Sequence, residues 1–278
     1  MAMKIQGSAT FMAPTVAIIL RMWAVAGTLS FILTPAADAQ TQFIQELKDL
    51  ESKNSLTPLF KKLMSFEPFQ RLPDPAAVFE IKETLDWLRL RGFYDNESAR
   101  YTYAYSAWLW NAGFKDNASA MYFFAEIKAR SDGSRCADKT SPQSRVIQYE
   151  QLLRGPIAQF LKTQDKRTKE NIFKLATLRL EERLPLRQSD EWLCNGGMAF
   201  LKKYADKHGN LPDKEVAGSS ANLGRAVVVE DDSIKPDFVE QAEWQVERRA
   251  ATDAAINGLR PLLLEINSEP TVDTDAAL

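Results

Sequence analysis

Apolar residues recur at helical spacing along most of the chain. Between residues 41 and 53, Phe43, Ile44, Leu47 and Leu50 fall on one face of a helix, with charged residues on the opposite face. The same kind of pattern predicts further helices over residues 56–66, 75–91, 97–112, 116–130, 168–183, 190–207 and 237–259. We therefore predict an all-α fold, which is either a helical bundle or a short array of antiparallel helical pairs with one long loop.

Prolines and glycines set the boundaries in the first half of the chain. The segment FEPFQRLPDP, residues 66–75, contains three prolines, which exclude a continuous helix, so we predict a linker there. Asp74 and Pro75 have the composition of a helix start, and Gly92 is predicted to end that helix.

The second half of the chain contains stronger helix breakers. A helix that opens at Pro142 should be interrupted near Gly155-Pro156, and Gly196-Gly197 predicts a kink or a close helix crossing. Residues 208–236 are rich in glycine and proline and predict a long loop, in which AVVV at 226–229 is the one strand-like piece. The last helix is predicted to pass Pro261 with a kink.

The first 39 residues have the composition of an export signal. Arg21 precedes an apolar run at 22–33, and Ala37-Asp38-Ala39 has the small-x-small pattern of a signal-peptidase site. An alternative is an uncleaved membrane anchor over residues 11–33, although Arg21 would then lie near the centre of the bilayer. We predict that the signal peptide, residues 1–39, is cleaved, so that the mature protein begins at Gln40. The mature protein is then predicted to consist of an N-terminal helical hairpin at 40–66, a main α-helical domain at 75–268 and a flexible tail at 269–278.

Export would also explain the cysteine usage. Cys136 and Cys194 are the two cysteines of the chain, and in an oxidising compartment such a pair favours one disulfide. Closing a loop of this length stabilises the fold by about 4 kcal/mol in the chain-entropy treatment. The alternative is two separate buried thiols. A periplasmic or secreted location follows from the signal. The formal net charge of −2 gives no basic excess that would favour nucleic acid.

Aromatic residues concentrate between residues 93 and 124. On the helix predicted at 97–112, Tyr101, Tyr105 and Trp108 fall on one face, whereas Tyr103 and Trp110 fall on another. One face should pack inward, which leaves the other to meet a neighbouring helix, a partner or a sugar ring. We therefore take four of these residues as candidates for binding a partner: Tyr103, Trp110, Tyr101 and Trp108.

The same region carries a spacing of small residues. Ser106 and Ala118 leave room for two helices to approach, Gly113 permits a tight turn between them, and Tyr122 and Ala125 follow. This spacing, over about 97–130, resembles one tetratricopeptide-like or sel-like helical-pair repeat. Such families imply binding of a protein or peptide on a concave face and no chemistry of their own.

Candidate chemistry is sparse. His208 is the only histidine, so two-histidine zinc centres are excluded, and we predict no metal and no cofactor. Glu97-Ser98 resembles the start of the lytic transglycosylase motif, in which the glutamate is the general acid, but the glycine-rich stretch of that family does not follow. The expected function is noncatalytic binding of another envelope or secreted protein, with no membrane span after cleavage. The alternative is a cell-wall glycan-acting enzyme that uses a carboxylate as acid or base.

Overall fold

The computed structural model describes residues 41–94, 98–178, 180, 190–209, 213–215, 225–227 and 233–264. The predicted signal peptide (1–39), Glu97, the predicted tail (269–278) and most of the predicted loop (208–236) lie outside these ranges. The described residues form an all-α fold, as the sequence predicts, with one short antiparallel ribbon beside the helices.

Eleven α-helices and one turn of π-helix are seen in the described ranges. The α-helices are α1 (Gln42–Ser52), α2 (Leu56–Leu63), α3 (Glu67–Gln70), α4 (Pro75–Arg89), α5 (Ala99–Asn111), α6 (Lys115–Gly133), α7 (Ser141–Lys162), α8 (Lys166–Thr177), α9 (Glu191–Cys194), α10 (Met198–His208) and α11 (Gln241–Leu264). The π-helical turn, Leu90–Tyr94, follows α4 directly. Asp74 caps α4 as predicted, because its carboxylate accepts a hydrogen bond from the Ala76 amide at 3.0 Å.

A first group of apolar residues joins α1 and α2 to α4 and one face of α5, and we call it the N-terminal core. The apolar stripe predicted on α1 supplies Phe43, Ile44 and Leu47 to it. The helical hairpin that the sequence predicts at 40–66 therefore shares its core with α4 and α5. The N-terminal core consists of Phe43, Ile44, Leu47, Leu59, Phe60, Leu63, Ile81, Trp87, Leu88, Tyr101, Ala104 and Trp108.

The second group, the main core, is built around α6. Helices α5, α7, α8, α9 and α11 all pack against α6, so nearly every residue from Ala118 to Gly133 is buried. Small side chains allow so many neighbours to approach one helix. The main core includes Tyr103, Ala107, Tyr122, Phe123, Phe124, Ile127, Tyr149, Leu153, Ile157, Ile172, Leu193 and Leu263.

The predicted interruption at Gly155-Pro156 is wrong, because α7 continues through it to Lys162. Pro156 cannot donate to the carbonyl of Leu152, but both residues lie on the exposed face of α7, where water can satisfy that carbonyl. Leu153 and Ile157 are buried on the opposite face. Their burial in the main core stabilises the helix across the proline.

Gly196 and Gly197 interrupt the helix predicted at 190–207, because other parts of the chain pack closely against both glycines. A Cβ atom on Gly196 would lie 2.5 Å from Nε of Arg145, and one on Gly197 would lie 2.2 Å from a carboxylate oxygen of Asp138. The chain therefore forms α9 and α10 as separate helices on either side of the pair.

Part of the predicted loop pairs with itself, and the residues just after the loop pair with the segment that follows α6. Strands β1 (Asp213–Glu215) and β2 (Arg225–Val227) run antiparallel, with Lys214 opposite Ala226. Further on, the Ala137 amide donates to the carbonyl of Asp237 at 3.0 Å. This extended pairing beside the end of α6 delays the start of α11 to Gln241, four residues later than predicted.

Candidate functional site

The α5–α6 hairpin has the close packing that its small residues predict. The Ser106 hydroxyl donates to the carbonyl of Ala118 at 2.7 Å, and both residues are fully buried. Gly113 has a φ of +87°, a conformation that favours glycine, and the Phe114 amide then donates to the carbonyl of Leu109 at 2.9 Å. A serine and an alanine at the crossing let the two helices touch through their backbones.

One aromatic face of α5 packs into the N-terminal core. The ring centre of Tyr101 lies 4.9 Å from that of Phe60, and the ring centre of Trp108 lies 5.1 Å from that of Phe69. The indole of Trp108 donates to the carbonyl of Leu63 at 3.0 Å. Tyr101 and Trp108 are therefore structural residues in this fold and present no surface to a partner.

The other aromatic face of α5 packs into the main core. Tyr103 is fully buried, and its ring stacks on Tyr149 of α7 at 5.0 Å with an interplanar angle of 10°. The expected exposed face is thus absent at Tyr103, because α5 has helices on both sides: α4 on one and α6 and α7 on the other. Of the three outcomes that the pattern allows (a neighbouring helix, a partner or a sugar ring), a neighbouring helix covers this side chain.

Trp110 is the one candidate that stays at the surface. It is partly exposed at the end of the α5–α6 hairpin, and its ring meets the edge of Phe160 at 6.0 Å. The Lys115 ammonium lies 3.8 Å from the centre of the Trp110 ring and donates to the Trp110 carbonyl at 2.8 Å. Desolvation lowers the pKa of Lys115. We call Trp110, Phe114, Lys115 and Phe160 the hairpin-end cluster.

A second group of interest lies between α5, α6 and α7. The Tyr103 hydroxyl donates to the Glu126 carboxylate at 2.6 Å, and Tyr122 is a further hydrogen-bond partner of Glu126. Burial raises the pKa of Glu126, and the negative charge of Glu150 on α7 raises it further, although the bond from Tyr103 acts in the opposite direction. Burial also raises the pKa of Tyr103 and of Tyr122. A carboxyl with a raised pKa can hold a proton and donate it, which is the property required of a general acid.

Sequence reasoning missed Glu126 and Lys115. Glu126 falls in the middle of a predicted helix, and nothing in its neighbourhood marks it as buried, since its burial depends on α7. Lys115 follows the turn glycine by two residues, so its proximity to Trp110 could have been found from the hairpin geometry.

The disulfide lies at the far end of α6. The sulfur atoms of Cys136 and Cys194 are 1.99 Å apart, so the structure brings together the two cysteines that the sequence predicts to be paired. The bond ties the end of α6 to α9, next to the glycine pair. Asp138 lies in the same corner and caps α10 by accepting a hydrogen bond from the Ala199 amide at 2.7 Å.

Other candidate chemistry is placed as follows. His208 is exposed in the last turn of α10, with its ring 4.3 Å from that of Tyr204. Across the described ranges, no group of three or more histidine, cysteine, aspartate or glutamate side chains is arranged to hold a metal ion. In those same ranges no helix combines the length and the apolar character that crossing a membrane requires.

Comparison of the chain with protein-family models, with curated proteins and with solved structures finds no match.

Proposed function

We propose that this chain is an exported, noncatalytic helical protein that binds another envelope or secreted protein through the hairpin-end cluster. The observation that carries the proposal is the position of Trp110: a tryptophan at the surface, beside a second aromatic ring and under a lysine ammonium. Tryptophan is among the residues that most often dominate the binding energy at protein interfaces.

The hairpin supports this role because it is a rigid platform. The buried contact between Ser106 and Ala118 fixes the two helices, so the turn presents its side chains with little freedom to lose on binding. The tetratricopeptide-like spacing of the same residues favours binding of a protein or a peptide. Export and a periplasmic or secreted location are proposed with it, and the pairing of Cys136 with Cys194 is consistent with an oxidising compartment.

Site-specific cross-linking in cells tests the proposal. A photo-reactive amino acid at position 110 should give one discrete adduct of higher mass, whereas the same group at Val246, which is 74% exposed on α11, should give none. The adduct from position 110 should disappear when Lys115 is changed to Glu. Equal adducts from positions 110 and 246, or none from position 110, would contradict the proposal.

The export part has its own test. The N-terminus of the exported protein should read Gln40 onward, and alkylation without reduction should leave both cysteines unmodified. A protein isolated with residues 11–33 intact would support the uncleaved anchor instead.

The second candidate function is a cell-wall glycan-acting enzyme. Glu126 favours it, because a carboxyl whose pKa is raised, with Glu150 nearby, has the character of an acid and base pair. Release of peptidoglycan fragments by the purified protein, and loss of that activity in both Glu126→Gln and Glu150→Gln, would support the enzyme. Retention of an activity in these variants, with loss in Glu97→Gln, would assign the acid to Glu97.

A further inference from the structure

The outer face of α4 carries an unusual pattern of exposed residues. Val78, Phe79 and Leu90 are 53%, 49% and 49% exposed, so large apolar side chains stand in water near both ends of this helix. Between them lie the exposed charges Lys82, Asp86 and Arg89, in which the Asp86 carboxylate pairs with Lys82 at 2.9 Å and with Arg89 at 3.5 Å along the same helix. At about 100° per residue these positions occupy one arc of about 120°, opposite the face that α4 buries in the N-terminal core.

When a second copy of the helix is placed antiparallel to the first, the exposed residues of the two copies are complementary. Counting from residue 84, the apolar Phe79 and Leu90 lie at nearly equal distances on either side, and so do the oppositely charged Lys82 and Asp86. A surface that matches its own reversed copy is what a two-fold symmetric contact between identical chains needs, because residue i then meets residue j while j meets i.

We propose that the outer face of α4 is the interface of a homodimer, in which two copies of the helix pack antiparallel about a two-fold axis at residue 84. Phe79 then packs on Leu90 of the partner subunit, and Lys82, which pairs with Asp86 of its own helix, also pairs with Asp86 of the partner subunit. Symmetry forms each contact twice. Val78 covers the aliphatic stem of Arg89 of the partner subunit.

The charges decide the direction of the pairing. In a parallel arrangement Lys82 would face its own copy and Asp86 would face its own copy, so like charges would repel. In the antiparallel arrangement both pairs are opposite in sign. At the usual interaxial distance of about 8–10 Å the two apolar contacts flank the charged centre and shield it from water.

Sedimentation equilibrium of the purified protein over a range of concentrations tests the proposal. The wild type should sediment as a dimer. Phe79→Asp should weaken the association by about 30-fold or more, because symmetry places a buried, unpaired carboxylate in both of the apolar contacts that flank the centre. Because Phe79 is half exposed, this variant should keep the wild-type circular dichroism. Val246→Asp, at an exposed site on α11, is the matched control and should leave the dimer unchanged.

A charge reversal gives a second test that does not depend on Phe79. Lys82→Asp alone should weaken the dimer, because two aspartates then face each other at each pair. The double variant Lys82→Asp, Asp86→Lys should restore it, since the pairs are rebuilt with exchanged signs. Failure of the double variant to restore association would overturn the antiparallel register.

Three other results of these experiments would also rule out the α4 dimer. A wild type that is monomeric at all concentrations, or a dimer that resists both Phe79→Asp and Lys82→Asp, would overturn the proposal. So would a monomer whose exposed α4 face instead cross-links to a different protein. The interface does not involve the hairpin-end cluster, so cross-linking from position 110 should be the same in Phe79→Asp and in the wild type.

Discussion

The two cores of this protein lie on opposite sides of α5 and are built differently. Charges of the N-terminal core form ion pairs at its rim, such as Lys62 with Glu46 and Arg91 with Glu51, and the buried Glu80 of α4 pairs with the partly exposed Arg71. The main core takes charged residues into its interior: Glu126 and Lys128 of α6 are both buried. The same chain therefore uses two solutions for the same problem of covering apolar surface.

The difference follows from the number of neighbours around each helix. Helices α1 and α2 keep a solvent side, so their polar residues point outward and an amphipathic stripe suffices. Helix α6 has five helical neighbours and is buried from Ala118 to Gly133 except at Arg130, so the polar residues of this stretch must find partners inside. Lys128, for example, donates to the hydroxyl of Thr102 at 3.2 Å. Central position, rather than composition, makes the main core polar.

Arg100 joins the two cores. Its guanidinium lies 4.1 Å from the ring centre of Phe60, in the N-terminal core, and 5.1 Å from that of Trp192, which packs against the main core. Beside it, the Asp190 carboxylate accepts a hydrogen bond from the Ala99 amide at 2.8 Å and so caps α5 from another part of the chain. The two cores are thus coupled at the start of the helix that they share.

The largest expected effect is on the N-terminal core. Trp108→Ala removes a fully buried indole together with the hydrogen bond that it donates to the carbonyl of Leu63, so the free energy of unfolding should fall by about 3–5 kcal/mol. Urea denaturation followed by circular dichroism measures it. Trp110→Ala, on the same helix but partly exposed, is the matched control and should lose well under half as much. Equal losses in the two variants would show that the faces of α5 do not differ in burial.

Removing the disulfide should affect the main core nearly as strongly. The bond joins residues separated by 58 positions, and the Cys136→Ala, Cys194→Ala double variant should lose about 2–4 kcal/mol of unfolding free energy. The wild type in reductant should behave like this variant. If the double variant keeps the stability of the oxidised wild type, α9 is held to α6 by packing alone.

A smaller effect with a distinctive pH dependence should come from Glu126. Burial raises its pKa in the folded protein above the ordinary value of 4.5, so the folded state binds the proton more tightly than the unfolded state. Its contribution to stability is fully present below the unfolded pKa and is lost as the pH rises through the folded pKa. Glu126→Gln should remove this dependence and be more stable than the wild type above that range.

Denaturation of the two proteins from pH 3.5 to 8 (about one unit below the ordinary glutamate pKa to well above it) measures this difference. The hydrogen bond from Tyr103 can be kept by the glutamine carbonyl, so packing should be little changed. Parallel stability curves for Glu126→Gln and the wild type would show that Glu126 does not titrate differently in the fold.

The smallest effect should come from a rim charge of the N-terminal core. Lys62 pairs with Glu46 at 2.5 Å, but both side chains are partly exposed, so Lys62→Ala should cost about 0.5 kcal/mol. The loss should shrink in high salt, because the screened pair contributes less. A loss as large as that of Trp108→Ala would mean that the rim charges, like those of the main core, are part of the packed interior.

The sequence predicts the N-terminal core well and the main core poorly, for one physical reason. Phe43, Ile44 and Leu47 could be assigned to a core because polar neighbours on the other face mark the direction of solvent. Helix α6 shows no such contrast, so its existence could be predicted but the burial of Glu126 could not. The continuation of α7 through Pro156 was also missed, because the penalty of one proline is local whereas the burial that offsets it comes from distant helices.

The amino-acid sequence by itself determined the all-α class, the turn at Gly113, the cap at Asp74 and the two cysteines that could pair. These follow from local backbone preferences and from the spacing of apolar residues, which act within a few turns of one helix. The tertiary structure alone decided that Tyr101, Tyr103 and Trp108 of α5 are buried and that Trp110 stays partly exposed. Periodicity gives the direction in which a side chain points from its helix, but only the neighbouring helices determine whether it meets protein or water.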